Sequence, residues 1–222
     1  MGIRTCKGDA AGGERGRYHL GVSYGVFHAD ISFIGSKDAT FERRALSATF
    51  ERRMSATWTL ALGAGVALPG TIAIDGDRYK IRPGWLGAIT SSWLLVQDRG
   101  RAPFVLLSLT IAASGVTTRY AEAGAASANV DAAAESLLSF DGRLGLLVGK
   151  TFWDVLRPYV GVRGFGGPIL WRFRGEHVIG GDPRHFQLAL GMSSSLPAGT
   201  SIFAEVAPLG ERGVTVGAGT AF

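Results

Sequence analysis

The sequence predicts an all-β fold, namely an antiparallel up-and-down transmembrane β-barrel of ten strands, with eight strands as the nearest alternative. Large apolar side chains alternate with small or hydroxyl side chains along many short segments, and the side chains of a strand point to opposite faces with period two. Glycine supplies 33 of the 222 residues, which disfavours a helical bundle because an interior glycine weakens a helix by about 1 kcal/mol. Only 18% of the residues are charged, so most predicted strands have no face polar enough to meet water.

The third predicted strand shows the alternation most clearly. One face has Trp58, Leu60, Leu62, Ala64 and Val66, and the other has Thr57, Thr59, Ala61, Gly63 and Gly65. The same pattern predicts ten strands at residues 17–28, 43–52, 57–66, 84–96, 105–112, 135–150, 156–165, 185–193, 201–206 and 214–222. Residues 1–16 are polar and glycine-rich, and we expect them to form a flexible segment before a single barrel domain at residues 17–222.

The fourth predicted strand is ambiguous because both of its faces carry apolar residues. We assign Trp85 and Trp93 to the outer face together with Trp58 of the third strand. Eight residues separate Trp85 from Trp93, which corresponds to roughly 20 Å along the axis of a tilted strand. The sequence therefore predicts aromatic side chains near both membrane interfaces.

The connections alternate between long and short, as they do in membrane barrels. Short turns are predicted around Arg53, Arg99, Trp153 and Pro197, and long loops are predicted at residues 29–42, 68–83, 114–134 and 171–184. The second long loop is expected to form a protruding hairpin around residues 74–78. The connection through Pro208 to Arg212 is short although it lies on the side of the long loops.

Two other architectures compete with the membrane barrel. The segments from Met54 to Ile74 and from Gln187 to Ala204 are uncharged and approach the length of a spanning helix, but glycine and proline interrupt them in a turn-like way. A soluble lipocalin-like barrel would place its large apolar residues inside and its charges outside, which is the opposite of the facing predicted here.

The last strand gives the chain a resemblance to a known family. Val214, Val216 and Phe222 share its apolar face, and the chain ends on that aromatic residue. In this respect the sequence resembles the bacterial outer-membrane β-barrel family, including small OmpA-, OmpW- or OmpX-like barrels. The resemblance implies that Phe222 is read by the barrel-assembly machinery, that the termini are periplasmic and that the loops are extracellular.

The predicted inward face is mostly small, but it carries five polar or charged residues on strands six to nine. These are Asp141, Arg143, Arg163, Gln187 and Glu205. Charges in a narrow barrel are desolvated unless they are paired, so we expect an internal charge network that fixes the strands and closes the lumen. A narrow polar conduit is the alternative.

The sequence contains no motif for catalysis, cofactor binding or metal binding that we can identify. His28 and Asp30 share a face, but two ligands do not make a metal site. The net charge of +5 is spread over strand ends and loops, which argues against nucleic acid and favours contact with lipid head groups and lipopolysaccharide. The expected function is structural or surface-interacting, with a porin-like small-solute channel and an outer-rim lipid-modifying enzyme as alternatives.

Overall fold

The computed structural model describes residues 17–33, 37–74, 77–99, 102–122, 134–173 and 175–222. The predicted flexible segment, residues 1–16, lies outside this part of the chain, and so does the centre of the third long loop. Within the described ranges the only helical element is the single 3-10 turn Pro197–Gly199, and no helix there could cross a membrane.

The described residues are all-β, as predicted, and form thirteen strands. They are β1 (Tyr18–Phe33), β2 (Lys37–Arg53), β3 (Trp58–Ile74), β4 (Asp77–Ile81), β5 (Gly84–Val96), β6 (Phe104–Glu122), β7 (Glu135–Gly149), β8 (Leu156–Gly166), β9 (Ile169–Phe173), β10 (Glu176–Gly181), β11 (Phe186–Ser195), β12 (Thr200–Gly210) and β13 (Arg212–Ala221).

Ten of these strands pair in a closed antiparallel ring, which we call the lower tier. The ring runs in the order β1, β2, β3, β5, β6, β7, β8, β11, β12 and β13. β13 closes the ring on β1 through the register His19↔Ala221 to His28↔Arg212. Because each strand has two partners, the sheet has no open edge, which is what a strand needs to cross a bilayer.

The predicted total of ten strands is not confirmed, because β4, β9 and β10 lie in segments that the sequence predicts as loops. β1, β2, β3 and β6 also continue well into the predicted loops. The predicted hairpin of the second loop is present, since β3 and β4 pair through Ile74↔Asp77. These segments carry charges or prolines and glycines, which is why the pattern indicates loops there. Outside a membrane, however, a charged face is compatible with a strand.

The extended strands form an upper tier at the end of the barrel away from Tyr18 and Phe222. There β4 replaces β5 between β3 and β6, while β9 and β10 connect β7 to β1. The upper tier is therefore an eight-stranded ring that continues the lower tier beyond the point where β5, β8, β11, β12 and β13 end.

The bulky apolar residues of the lower tier face outward, as predicted. Leu62 is 51% exposed, Ile111 is 66% exposed and Val162 is 53% exposed. Their neighbours on the inner face include Gly21, Gly145 and Gly161, which are buried. This facing suits hydrocarbon outside and close packing inside.

The chemistry of the two faces is reversed in the upper tier. Along β1, Leu20 and Val22 face outward in the lower tier, whereas Ile31 and Phe33 face inward in the upper tier and are each 3% exposed. The positions that continue the outer face are His28, Asp30 and Ser32. Along β1 the odd and even positions keep their sides, and only the residue types at those positions are exchanged.

The interior of the upper tier is an apolar core. Its buried members are Ile31, Phe33, Ala39, Phe41, Ala67, Ile72, Ile74, Tyr79, Ile81, Val116, Leu137, Trp171 and Phe173. Trp171 is 1% exposed, and its ring lies 4.7 Å from that of Phe173 and 5.3 Å from that of Tyr79. The upper tier is thus packed like a soluble barrel, with its large side chains in the centre.

Candidate functional site

The barrel interior is the candidate functional site, and its middle layer is a charged belt. We use this name for Arg43, Asp141, Arg143, Arg163, Gln187, Glu205 and Glu211. Five of these residues are predicted from the inward face of strands six to nine, and the other two are not. The belt lies on strands distributed around the ring, so its side chains meet across the lumen.

Arg163 and Glu205 form a bidentate ion pair. Arg163 on β8 donates from Nη1 and Nη2 to the two carboxylate oxygens of Glu205 on β12, each over 2.7 Å. Arg163 Nη1 also donates to Gln187 Oε1 over 2.7 Å, and the Tyr159 hydroxyl donates to Glu205 Oε2 over 3.0 Å. Both carboxylate oxygens therefore have partners, as a desolvated charge requires.

A second ion-pair group centres on Arg143. Arg143 on β7 contacts Asp141, two residues earlier on the same face, and its Nη1 lies 2.7 Å from Glu211 Oε2. Glu211 sits in the tight turn between β12 and β13, with its side chain in the interior. Gln187 joins the two groups, because its Nε2 donates to the backbone carbonyl of Glu211 over 2.8 Å.

Sequence reasoning missed Glu211 and Arg43 for a shared reason. The pattern indicates a surface turn at Glu211 and a basic strand end at Arg43, and neither position is assigned to the interior. Arg43 lies at an irregularity where the β2–β3 register shifts between Glu42 and Arg44, and its Nη1 donates to Ser114 Oγ on β6 over 3.0 Å. Arg43 nevertheless has the same parity as the buried Phe41 and Ala45 on β2, so alternation continued through the basic end of the strand would have placed it on the inner face.

Apolar layers lie on both sides of the charged belt. The upper core lies on one side. Toward the chain termini, a smaller cluster of buried residues consists of Leu94, Phe104, Leu106, Leu147 and Tyr159. Phe104 is 1% exposed. The cluster lies on β5, β6, β7 and β8, and because Tyr159 belongs to it and also binds Glu205, it contacts the charged belt on that side of the barrel.

The predicted outer aromatic residues lie at two levels of the barrel wall. Trp58 and Trp93 are register partners on β3 and β5 near the end that holds the chain termini, and Trp58 Nε1 donates to Ser91 Oγ over 2.8 Å. Trp85 is paired with Val66 and Gly115 at the other end of β5 and is 53% exposed.

Phe222 lies beside the first strand at the end that holds the termini. Its backbone exchanges hydrogen bonds with Tyr18 over 3.0 and 3.1 Å, and its ring lies 6.1 Å from that of Tyr18. The Phe222 side chain is 58% exposed on the outer surface.

His28 and Asp30, which share a face of β1, each lie beside a charged partner on the surface. His28 Nε2 lies 3.6 Å from a Glu42 carboxylate oxygen, and Asp30 lies 2.9 Å from Arg184 Nη2. In the part of the chain that the structure describes, no three His, Cys, Asp or Glu side chains are grouped to hold a metal ion.

One charged contact ties two short turns at the end that holds the termini. Lys150 Nζ donates to Asp98 Oδ1 over 2.7 Å, and the Thr151 amide donates to Asp98 Oδ2 over 2.6 Å. Burial alone would raise the pKa of Asp98, but these hydrogen bonds outweigh it and hold the pKa below its ordinary value. Asp98 thus links the β5–β6 connection to the end of β7.

The barrel resembles solved outer-membrane proteins, whereas no protein-family model and no curated protein matches the sequence. The translocator domain of the autotransporter NalP from Neisseria meningitidis matches with a TM-score of 0.53 at 12% identity, covering 96% of this chain and 90% of that one. The outer membrane protein OprG from Pseudomonas aeruginosa matches with a TM-score of 0.45 at 12% identity, covering 95% and 98%. The first likeness shows that this chain has the fold of an outer-membrane β-barrel.

Proposed function

We propose that this protein is a bacterial outer-membrane β-barrel with a closed lumen and a structural or surface-interacting role. The observation that carries the proposal is the layered interior, in which the charged belt lies between two apolar layers. Ten long strands would cross the bilayer, and the upper tier would stand above it.

The orientation in the membrane follows from the surface chemistry. The outward apolar side chains of the lower tier suit hydrocarbon, and the reversed faces of the upper tier suit water. Short turns gather at the end that holds Tyr18 and Phe222, which in bacterial barrels is the periplasmic end. We infer that the termini are periplasmic, that the upper tier is extracellular and that Phe222 is presented to the barrel-assembly machinery.

The proposed closure of the lumen rests on the energetic cost of opening a path for water or ions through the interior. The Arg163–Glu205 and Arg143–Glu211 pairs would obstruct a path through the charged belt, and a wide path would require them to separate. Separating such pairs without new partners leaves desolvated charges, at a cost of about 3–5 kcal/mol for each pair. A path would also have to wet the packed apolar core of the upper tier.

Conductance in planar bilayers tests the proposal against its nearest alternative. Folded protein, verified by heat-modifiable migration on detergent gels, is expected to give no steady ion current. A steady current from the wild-type barrel would support the porin-like channel instead. The double variant E205Q/E211Q is the matched comparison, because it removes one acid from each ion-pair group, leaves Asp141 in place and keeps the size of each side chain.

We also propose that the protein is not an enzyme. The ion pairs of His28 and Asp30 engage the polar side chains that a lipid-modifying site at the outer rim would use. Hydrolysis or acyl transfer on lipopolysaccharide by the folded protein, abolished in both His28→Ala and Asp30→Ala, would contradict this.

A further inference from the structure

The outer surface of the upper tier carries an uneven distribution of charge. We define a cationic patch as Lys80 on β4, Arg82 directly after β4, and Arg119 on β6, which are all exposed. Lys80 lies directly opposite Arg119 in the antiparallel ladder, and the Arg82 amide donates to the Thr117 carbonyl over 2.8 Å. The three cations therefore project from adjacent positions of one wall.

The pairing of Lys80 with Arg119 is unfavourable for the protein by itself. Directly opposite side chains on an antiparallel pair have Cβ atoms about 4.5–5.5 Å apart, and like charges at that distance are destabilising. Within the described ranges, none of the three patch residues takes part in an ion pair. The register partner of Lys80 on β3 is Thr71, which is neutral.

The other side of the same ring is different. Around β1 and β10 two acids have cationic or imidazole partners, since Asp30 binds Arg184 and Glu42 lies beside His28. Among the register pairs of the described strands, Lys80 with Arg119 is the pair that brings two Lys or Arg side chains directly opposite each other.

The height of the patch on the barrel identifies its environment. Trp85, which is exposed at the upper edge of the lower tier, is level with Gly115 on β6. Arg119 is four residues further along β6, or roughly 10 Å along the axis of a tilted strand. If Trp85 marks the outer interface, the patch stands at the depth of the lipid head groups.

We propose that Lys80, Arg82 and Arg119 bind the phosphate groups of an outer-leaflet phosphorylated glycolipid, namely lipopolysaccharide. The inference rests on the membrane orientation given under the proposed function. Clustered phosphates supply the negative charge that the patch lacks, and continuity with the lipid-facing wall lets one ligand contact both surfaces. The lipid would then relieve the Lys80–Arg119 repulsion and fix this wall in the outer leaflet.

The test compares two double variants that remove the same charge. K80Q/R119Q removes two patch cations, and R172Q/R212Q removes two exposed cations elsewhere on the outer surface. Binding of fluorescent lipopolysaccharide to the full chain in neutral detergent is expected to weaken roughly tenfold or more in K80Q/R119Q, since a basic side chain at an anionic lipid surface contributes about 1 kcal/mol. R172Q/R212Q is expected to bind like the wild type.

Two further arms separate a phosphate-bearing lipid from a phosphate-free lipid and from a free anion. With dephosphorylated lipopolysaccharide, the difference between K80Q/R119Q and wild type is expected to disappear. Inorganic phosphate is expected to compete poorly, and full competition would assign the patch to a free anion and overturn the proposal. Equal lipopolysaccharide affinity of K80Q/R119Q and wild type would overturn it as well.

Stability without lipid distinguishes a binding patch from a structural one. In neutral detergent alone, K80Q/R119Q is expected to unfold at the same or a higher urea concentration than wild type, because like-charge repulsion is removed. A lower midpoint together with unchanged lipid affinity would assign the residues a structural role. Conductance of the lumen is independent of these measurements, so an open channel would contradict the closed barrel and leave this result unaffected.

Discussion

Removal of the Glu205 carboxylate is the sharpest test of the charged belt. In E205A, Arg163 loses two hydrogen bonds of 2.7 Å and the Tyr159 hydroxyl loses its acceptor. Glu205 is 8% exposed and Arg163 is 22% exposed, so the guanidinium left behind is largely desolvated and keeps only Gln187 as a partner. Loss of one member of a buried pair costs about 3–5 kcal/mol, and the partial exposure of Arg163 places the expected value near 3 kcal/mol.

The assay is reversible urea unfolding in phospholipid vesicles, followed by tryptophan fluorescence and heat-modifiable migration. E176A is the matched control, because Glu176 is an exposed glutamate on β10 and its loss should change the free energy of unfolding by about 0.5 kcal/mol or less. The double variant R163M/E205L removes both charges, and we expect it to lose less than half as much stability as E205A.

Two outcomes would contradict this prediction. If E205A lost less than about 1 kcal/mol, the belt would not hold a desolvated charge pair. If R163M/E205L were as unstable as E205A, the cost would come from lost packing and not from an uncompensated charge.

Three other predictions concern the layers around the belt. Hydrogen bonds hold the pKa of Asp98 in the folded protein below its value in the unfolded chain. The stabilisation from Asp98 is therefore complete above the unfolded pKa and is lost as the pH falls through the folded pKa. In D98N, the urea midpoint measured against pH should lack this acid-dependent decrease. Trp171→Ala should cost about 3–5 kcal/mol by urea unfolding, since Trp171 is 1% exposed and donates to Thr118 Oγ1 over 2.9 Å, whereas outward-facing L170A should cost far less. Gly191→Ala places a methyl group 2.3 Å from the Tyr159 ring and should displace that ring from Glu205, at about 1–3 kcal/mol in the same assay; Gly87→Ala, where the nearest atom is 3.9 Å away, is the control and should show no such loss.

The short strand β4 shows why a single facing rule misses part of the fold. Tyr79 and Ile81 alternate with Arg78 and Lys80 as regularly as any residues of the lower tier. The segment is predicted as a loop because its charged face is incompatible with lipid. A strand that leaves the membrane keeps its period but exchanges the chemistry of its faces, so a search for one facing overlooks it.

The sequence by itself determined which side chains of the lower tier face outward, because the alternation of side chains along a strand is a local property that does not depend on the neighbouring strands. It also placed Arg163, Gln187 and Glu205 on the inner face. Only the tertiary structure decided which of the inward residues meet, since a contact such as Arg143 with Glu211 depends on the register of every strand between them and on the closure of the ring. The upper tier was decided in the same way, because β4, β9 and β10 are strands only through the partners that the closed barrel gives them.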